Sequence, residues 1–202
     1  MENTEIAVRG YVDSGNIYDN KLEILNFSRT ITFDTETTSD QYQKLIFGSY
    51  RIDDNHIKID EGIFYDPRLV GKKQLEILNQ SSKAIPVRKF VDEIFLPEVF
   101  DNQTLCIGFN LPFDLSRLAM DFGYGRNRNR DSFSLKLTVD KKYPRLIVKS
   151  IDSTKSFIHF GSNPFSKHRY SGNFIDLRTV SFSLSSEKHT LESACVFFHS
   201  PI

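Results

Sequence analysis

The chain has no tryptophan, 2 cysteines, 2 methionines and no excess of charge of either sign. Each shortage excludes something. Cys106 and Cys195 each lie inside apolar sequence and far apart, so they build neither a disulfide scaffold nor the clustered ligand pattern of a zinc site. They read as reduced, buried thiols of a cytoplasmic protein. Lys and Arg number 26 against 26 Asp and Glu, so no global field draws in a polyanion and any nucleic-acid contact must come from a local patch. No stretch reaches the ~18 consecutive apolar residues that span a bilayer. The acidic start, Met1 to Glu5, lacks the apolar centre of a secretory signal. There is no internal repeat, no low-complexity tract and nothing of linker composition, so the expectation is one domain.

What the chain does have is aromatic and β-branched sequence: 18 phenylalanines and 8 tyrosines supply much of a core. Residues 1–28 mix short apolar pieces with a turn signal at Asp13–Gly15, and read as an N-terminal extension or an edge hairpin ahead of a domain over 29–202. Thr30–Asp34 predicts a first core strand and Lys44–Ile52 a second. After a polar turn at Asp53–Asn55, the third strand is either His56–Ile59 or Gly62–Tyr65. Leu75–Leu78 predicts helix. So does Val87–Phe95, where Val87, Phe90, Val91, Ile94 and Phe95 recur at helical spacing until Pro97 disfavours continuation. Leu105–Phe109 fits a buried parallel strand. Pro112 suits the first turn of a helix running to Met120 and ended by Gly123–Gly125. Alternation over Phe133–Val139, followed by Leu146–Val148, predicts an inserted β-hairpin, with a further extended piece at Ser156–Phe160. Phe174–Val180 is a strand or strand–helix junction, and Thr190–Phe198 a final helix.

Two short stretches carry the chemistry. In Thr32–Thr38, Asp34 and Glu36 stand two residues apart on an extended segment and so share a face. In Gly108–Leu118, Asp114 follows Pro112 and Phe113, where a strand gives way to a helix. Solvated acids at a strand end would account for the first pair alone; Asp114 in its matching context tips the balance. Three carboxylates that can converge at a sheet end suit Mg²⁺ or Mn²⁺, and two such ions suit phosphodiester cleavage.

These residues resemble motifs I and II of the DEDD superfamily of 3′–5′ exonucleases, nearest to the proofreading-type domains attached to DNA polymerases. The likeness continues through Phe174–Val180 and Lys188–Cys195, and covers Thr30 to Phe198. It implies a ribonuclease H-like α/β fold: a mixed sheet of five or six strands, three antiparallel and two parallel, flanked by helices. It implies removal of nucleotides from the 3′ ends of single-stranded nucleic acid, DNA more than RNA, by two Mg²⁺ or Mn²⁺ ions. Asp34 would bridge both ions, Glu36 would hold one and position the attacking water, and Asp114 would support the other. Asn110, Leu111 and Phe113 are the candidate contacts to the strand, with core packing the commoner role for Leu111 and Phe113, as for Phe33. A downstream polymerase region or another protein chain would be the macromolecular partner, and no membrane is involved.

The family's third motif, an aspartate a few residues after a tyrosine or histidine, has no counterpart here, because no aspartate follows Asp176. The expectation is therefore a sequence ending upstream of that motif, a site one carboxylate short with one ion weakly held, and an impaired or absent activity. The alternative is a nuclease-derived module that binds nucleic-acid ends or docks on a partner without cutting. Asp176 or Arg178 is expected to anchor a loop or cap a helix and not to replace the missing acid. His189 and His199 are poor candidates for a general base. Arg126, Arg128, Arg130, Lys141 and Lys142 form a local basic excess just after the Asp114 helix. They are either a solvated loop or contacts to backbone phosphates beside the acids.

Overall fold

The computed structural model describes residues 27–125, 131–162 and 170–200. The expected N-terminal extension, apart from its last residues, and Arg126, Arg128 and Arg130 lie outside the described residues. The first strand, β1 (Arg29–Thr37), alternates cleanly: Ile31, Phe33 and Thr35 are buried while Thr32, Asp34 and Glu36 are exposed. It pairs antiparallel with β2 (Leu45–Asp54), which pairs antiparallel with β3 (Ile57–Tyr65). Between β2 and β3 the chain turns through Asn55 and His56, both at positive φ (49° and 65°). That is the two-residue turn whose twist matches paired strands. The third strand is a single one that takes in Gly62–Tyr65 and all of the other offered segment except His56, which stays in the turn.

Helix α1 (Lys72–Ser81) leads to β4 (Ala84–Pro86), a short strand parallel to β3 that the sequence does not announce. Pro86 suits its place at the sheet edge, where a missing N–H costs no ladder bond. Helix α2 (Val87–Phe90) then continues in two π-type turns, Val91–Phe95 and Pro97–Asp101. Pro97 does not end this helix, contrary to expectation. The wide turn carries the Leu96 N–H back to the Val91 carbonyl, and Leu96 keeps helical angles (φ −66°, ψ −42°), which leaves room for the proline ring.

Strand β5 (Leu105–Gly108) lies parallel to β1, and helix α3 (Leu111–Leu118) follows it. Helix α3 ends earlier than expected. Ala119 is extended, the Met120 N–H donates to the Lys136 carbonyl at 2.8 Å, and the next residues form β6 (Asp121–Tyr124), so ladder bonds capture a segment that periodicity had given to the helix end. With β7 (Phe133–Lys136), β8 (Leu146–Ser150) and β9 (Ser156–Phe160) it makes a four-stranded antiparallel sheet in chain order, larger than the expected hairpin. Strand β10 (Phe174–Asp176) returns to lie parallel to β5 and runs directly into α4 (Leu177–Ser185), followed by α5 (Leu191–Phe197). The first sheet thus has the order β10-β5-β1-β2-β3-β4.

One apolar core joins the two sheets. Phe90 stacks on Phe64 with ring centres 4.1 Å apart, and Phe95 meets Phe33 edge-on at 5.4 Å, while Leu135, Leu146, Val148 and Phe160 bring the second sheet into the same cluster. Polar clamps fix the edges. Arg29 at the start of β1 grips Glu98 through two hydrogen bonds of 2.7 and 2.6 Å, and Thr104 donates to the same carboxylate at 2.8 Å. Arg88 donates to the carbonyls of Leu118 and Leu137, tying α2 to the end of α3 and to the second sheet. Among the described residues no helix is long and apolar enough to cross a membrane. Both cysteines are free; Cys106 is buried as expected, but Cys195 is only partly so, and it lines an apolar groove between α4 and α5.

Candidate functional site

Strands β1, β5 and β10 point the same way, so their carboxyl ends share one edge of the sheet, the usual place for a ligand crevice in an α/β sheet. An open cleft of about 330 Å³ lies there. Its walls are Asp34 and Thr35 of β1, Phe109 and Asn110 at the β5–α3 junction, Phe113 and Asp114 of α3, Arg178 of α4, and His189 to Leu191 at the start of α5.

The β5–α3 junction is tightly specified. A side chain at Gly108 would put its Cβ 2.6 Å from Leu111 Cδ2, so any larger residue would have to displace Leu111 from its seat beneath the strand end. Asn110 takes the left-handed conformation (φ 70°) that asparagine tolerates. Asp176 then holds both helices that border the cleft. Its Oδ1 accepts from the backbone N–H groups of Asn110 and Leu111 at 2.8 and 3.1 Å. Its Oδ2 accepts from the Thr179 hydroxyl at 2.7 Å and the Thr179 N–H at 3.3 Å, capping α4. Arg178 reaches back to the Asn110 side-chain oxygen at 3.1 Å. The anchoring role expected for Asp176 or Arg178 is thus filled by both.

Asp114 stands in the first turn of α3, 3 % exposed, and its Oδ1 accepts a 2.6 Å hydrogen bond from the Thr35 hydroxyl. Burial pushes its carboxyl up to about 7; the Thr35 bond opposes that rise and the neighbouring Asp34 adds to it. Asp34 and Asp114 therefore face one cleft and sense each other's charge. Glu36 shares the exposed face of β1 with Asp34 but does not line the cleft, and the β1–β2 register slips between Glu36 and Thr37. Among the described residues no three His, Cys, Asp or Glu side chains converge as a metal-ligand group. Two hard oxygen donors, Asp34 and Asp114, are what the cleft offers a divalent cation.

The other expected contacts separate. Asn110 and Phe113 line the cleft, with the Arg117 guanidinium 4.6 Å above the Phe113 ring. Leu111 is fully buried in the core, so its side chain cannot touch a ligand. Lys142 pairs with Asp101 at 2.7 Å. Asp101 closes the helix just before β5 begins, whereas the cleft forms where β5 ends, so Lys142 lies at the far end of that strand and not beside the acids. Lys141 is exposed in the same loop, among residues that do not line the cleft. Conversely, Arg178 and His189 line the cleft, although the sequence assigned Arg178 only an anchoring role and made His189 a poor candidate for a general base. The available signal for Arg178 was its place two residues past Asp176 at a strand–helix junction, and for His189 its place just before a helix. Both His189 ring nitrogens are engaged, Nε2 with the Ser185 hydroxyl at 2.8 Å and Nδ1 near the Ser193 hydroxyl at 3.4 Å, which fixes the orientation of the ring at the cleft wall. No family model matches the chain, and no curated protein matches it either.

Proposed function

We propose that this chain is a 3′–5′ exonuclease-type domain of the DEDD superfamily on a ribonuclease H-like scaffold, directed at the 3′ ends of single-stranded nucleic acid, DNA more than RNA. The observation that carries the reading is the meeting of Asp34 and Asp114 in one cleft, from the exit of β1 and the first turn after β5, in the order that motifs I and II require. The strand order β3-β2-β1-β5-β10, antiparallel and then parallel, agrees with that scaffold. A divalent ion would be held by Asp34 and Asp114, with Glu36 the nearest further acid along β1. Bound there, Mg²⁺ or Mn²⁺ would polarise a phosphoryl oxygen and favour ionised water at neutral pH. The chain's own contributions are separable. Burial and Thr35 fix the direction of Asp114, Asn110 and Phe113 offer an amide and a ring to a terminal nucleotide, and the crevice orients the phosphodiester.

A second reading, a module that binds nucleic-acid ends without cutting them, draws on a specific fact: Glu36 stays out of the cleft and no third ligand joins the two aspartates among the described residues. One experiment separates the two. A 3′-labelled single strand is incubated with Mn²⁺, and the chain is compared with Asp34→Asn. The nuclease reading expects stepwise shortening from the 3′ end that Asp34→Asn abolishes. Binding without shortening favours the second reading, and shortening that survives in Asp34→Asn would overturn the assignment of the site.

A further inference from the structure

We infer that Arg178 is the phosphate-holding residue of this cleft, giving it a subsite for a nucleoside 5′-phosphate or the phosphodiester that precedes one. The inference rests on the nuclease reading for what the phosphate belongs to, but its evidence is separate. Any cation at Asp34 and Asp114 would meet a phosphate from one side of the cleft only, and Arg178 is the only arginine or lysine among the cleft's described walls, so it is the one fixed side-chain cation available to the remaining phosphate oxygens.

The pairing of the other arginines makes Arg178 stand out. Among the described residues, Arg29, Arg51, Arg68 and Arg145 each pair with a carboxylate. Arg88 and Arg117 spend two bonds each on backbone carbonyls. Arg178 forms no ion pair there although two carboxylates line the same cleft; its partner is the neutral Asn110 amide oxygen. Its charge is therefore held in position without being neutralised, and four of its five N–H donors have no described acceptor. A guanidinium fixed at one corner and open at the other presents the fork that binds phosphate oxygens in pairs. The anchoring is rigid. Asn110 is locked by the Asp176 carboxylate through its backbone N–H, and the same carboxylate caps the helix that carries Arg178, so one buried acid aligns both partners. Neighbouring groups differ in kind: the Leu111 N–H is already taken by Asp176, and the Asn110 side chain offers only a neutral amide donor.

Calorimetry with deoxyadenosine 5′-monophosphate and with deoxyadenosine, each in Mn²⁺ and in EDTA, tests this on the whole chain. The comparison is wild type, Arg178→Gln and Arg178→Lys, with thermal midpoints recorded for each. Gln keeps an amide donor for Asn110 and removes the charge; Lys keeps the charge and loses the fork. The expected result is monophosphate affinity lowered by roughly tenfold or more in Arg178→Gln, a smaller loss in Arg178→Lys, and unchanged affinity for deoxyadenosine and for Mn²⁺. Equal monophosphate affinity in wild type and folded Arg178→Gln overturns the inference, as does a wild type that fails to prefer the monophosphate over the nucleoside. A parallel loss of nucleoside affinity would also overturn it, because it would show a structural role through Asn110. The nuclease reading stands or falls elsewhere, on whether Asp34→Asn abolishes Mn²⁺ binding and strand shortening.

Discussion

Removing the Asp176 carboxylate should damage the protein more than any other single change at the cleft, and the structure allows the size to be worked out. Asp176 is 8 % exposed and accepts from Asn110, Leu111 and Thr179. In Asp176→Ala, helix α4 loses its N-cap, a cost of about 1 kcal/mol. The Leu111 N–H stays buried with no acceptor, at about 1–3 kcal/mol, whereas the Asn110 N–H can turn partly to water and costs less. A total of about 3 kcal/mol, at about 2–4 °C per kcal/mol for a chain of this size, lowers the thermal midpoint by about 6–12 °C. Asp176→Asn keeps one carbonyl oxygen for either set of donors and should lose roughly half as much. Thermal and urea unfolding followed by far-UV circular dichroism reads both values. An Asp176→Ala variant within about 0.5 kcal/mol of wild type, the range of an ordinary surface change, would refute the claim that this carboxylate holds two helices.

Two further outcomes follow from the charges. Burial raises the Glu98 carboxyl, but hydrogen bonds from Arg29 and Thr104 outweigh it and hold the group below its ordinary value, so its stabilising contribution is present above about pH 4.3 and is lost as pH falls through its lower folded value. Urea midpoints should fall in acid more steeply for wild type than for Glu98→Gln; identical slopes would show that the clamp at the start of β1 is not linked to protons. The basic loop is tested by salt: replacing Arg126, Arg128 and Arg130 with glutamine should flatten the log–log salt dependence of single-strand binding by about two units if all three meet phosphates. Lys142→Gln should leave that slope alone because Lys142 is committed to Asp101, and an unchanged slope in the triple variant would return the loop to a solvated surface.

The sheet was legible where local pattern and tertiary context agree. The Thr30–Asp34 run and the apolar stretch from Leu105 each state a strand by composition, and each is one, whereas the turn expected at Asp53–Asn55 falls at Asn55 and His56 because β2 runs on through Asp54. β4 and β6 were not legible. β4 has three residues and ends in proline, so its strand character comes from lying beside β3 and not from propensity. β6 pairs Asp121–Tyr124 antiparallel with the next strand, β7, and those ladder bonds override the helical spacing before it. Pro97 misled for a related reason. The rule against proline in a helix assumes the ordinary turn, and here the turn is wider.

At the site, the same distinction decides which residues were found. Asp34 and Asp114 were legible because each sits at a junction that sequence marks: a β-branched strand running into polar residues, and a Pro-Phe-Asp step opening a helix. Arg178 became part of the cleft only because β10 lies parallel to β5, which brings the start of α4 to the edge already holding the acids. Nothing local to Leu177–Val180 states that neighbour. Glu36 is the converse. Two-residue periodicity correctly gave it the face of Asp34, yet a shared face is not a shared cleft: the crevice takes in Asp34 and Thr35, while Glu36, one step further along β1, stays outside its lining. The spacing of two acids on one strand fixes which face they share. Which of them borders a crevice is decided by the segments that follow β5 and β10 at the same sheet edge, and the spacing of Asp34 and Glu36 carries no record of those neighbours.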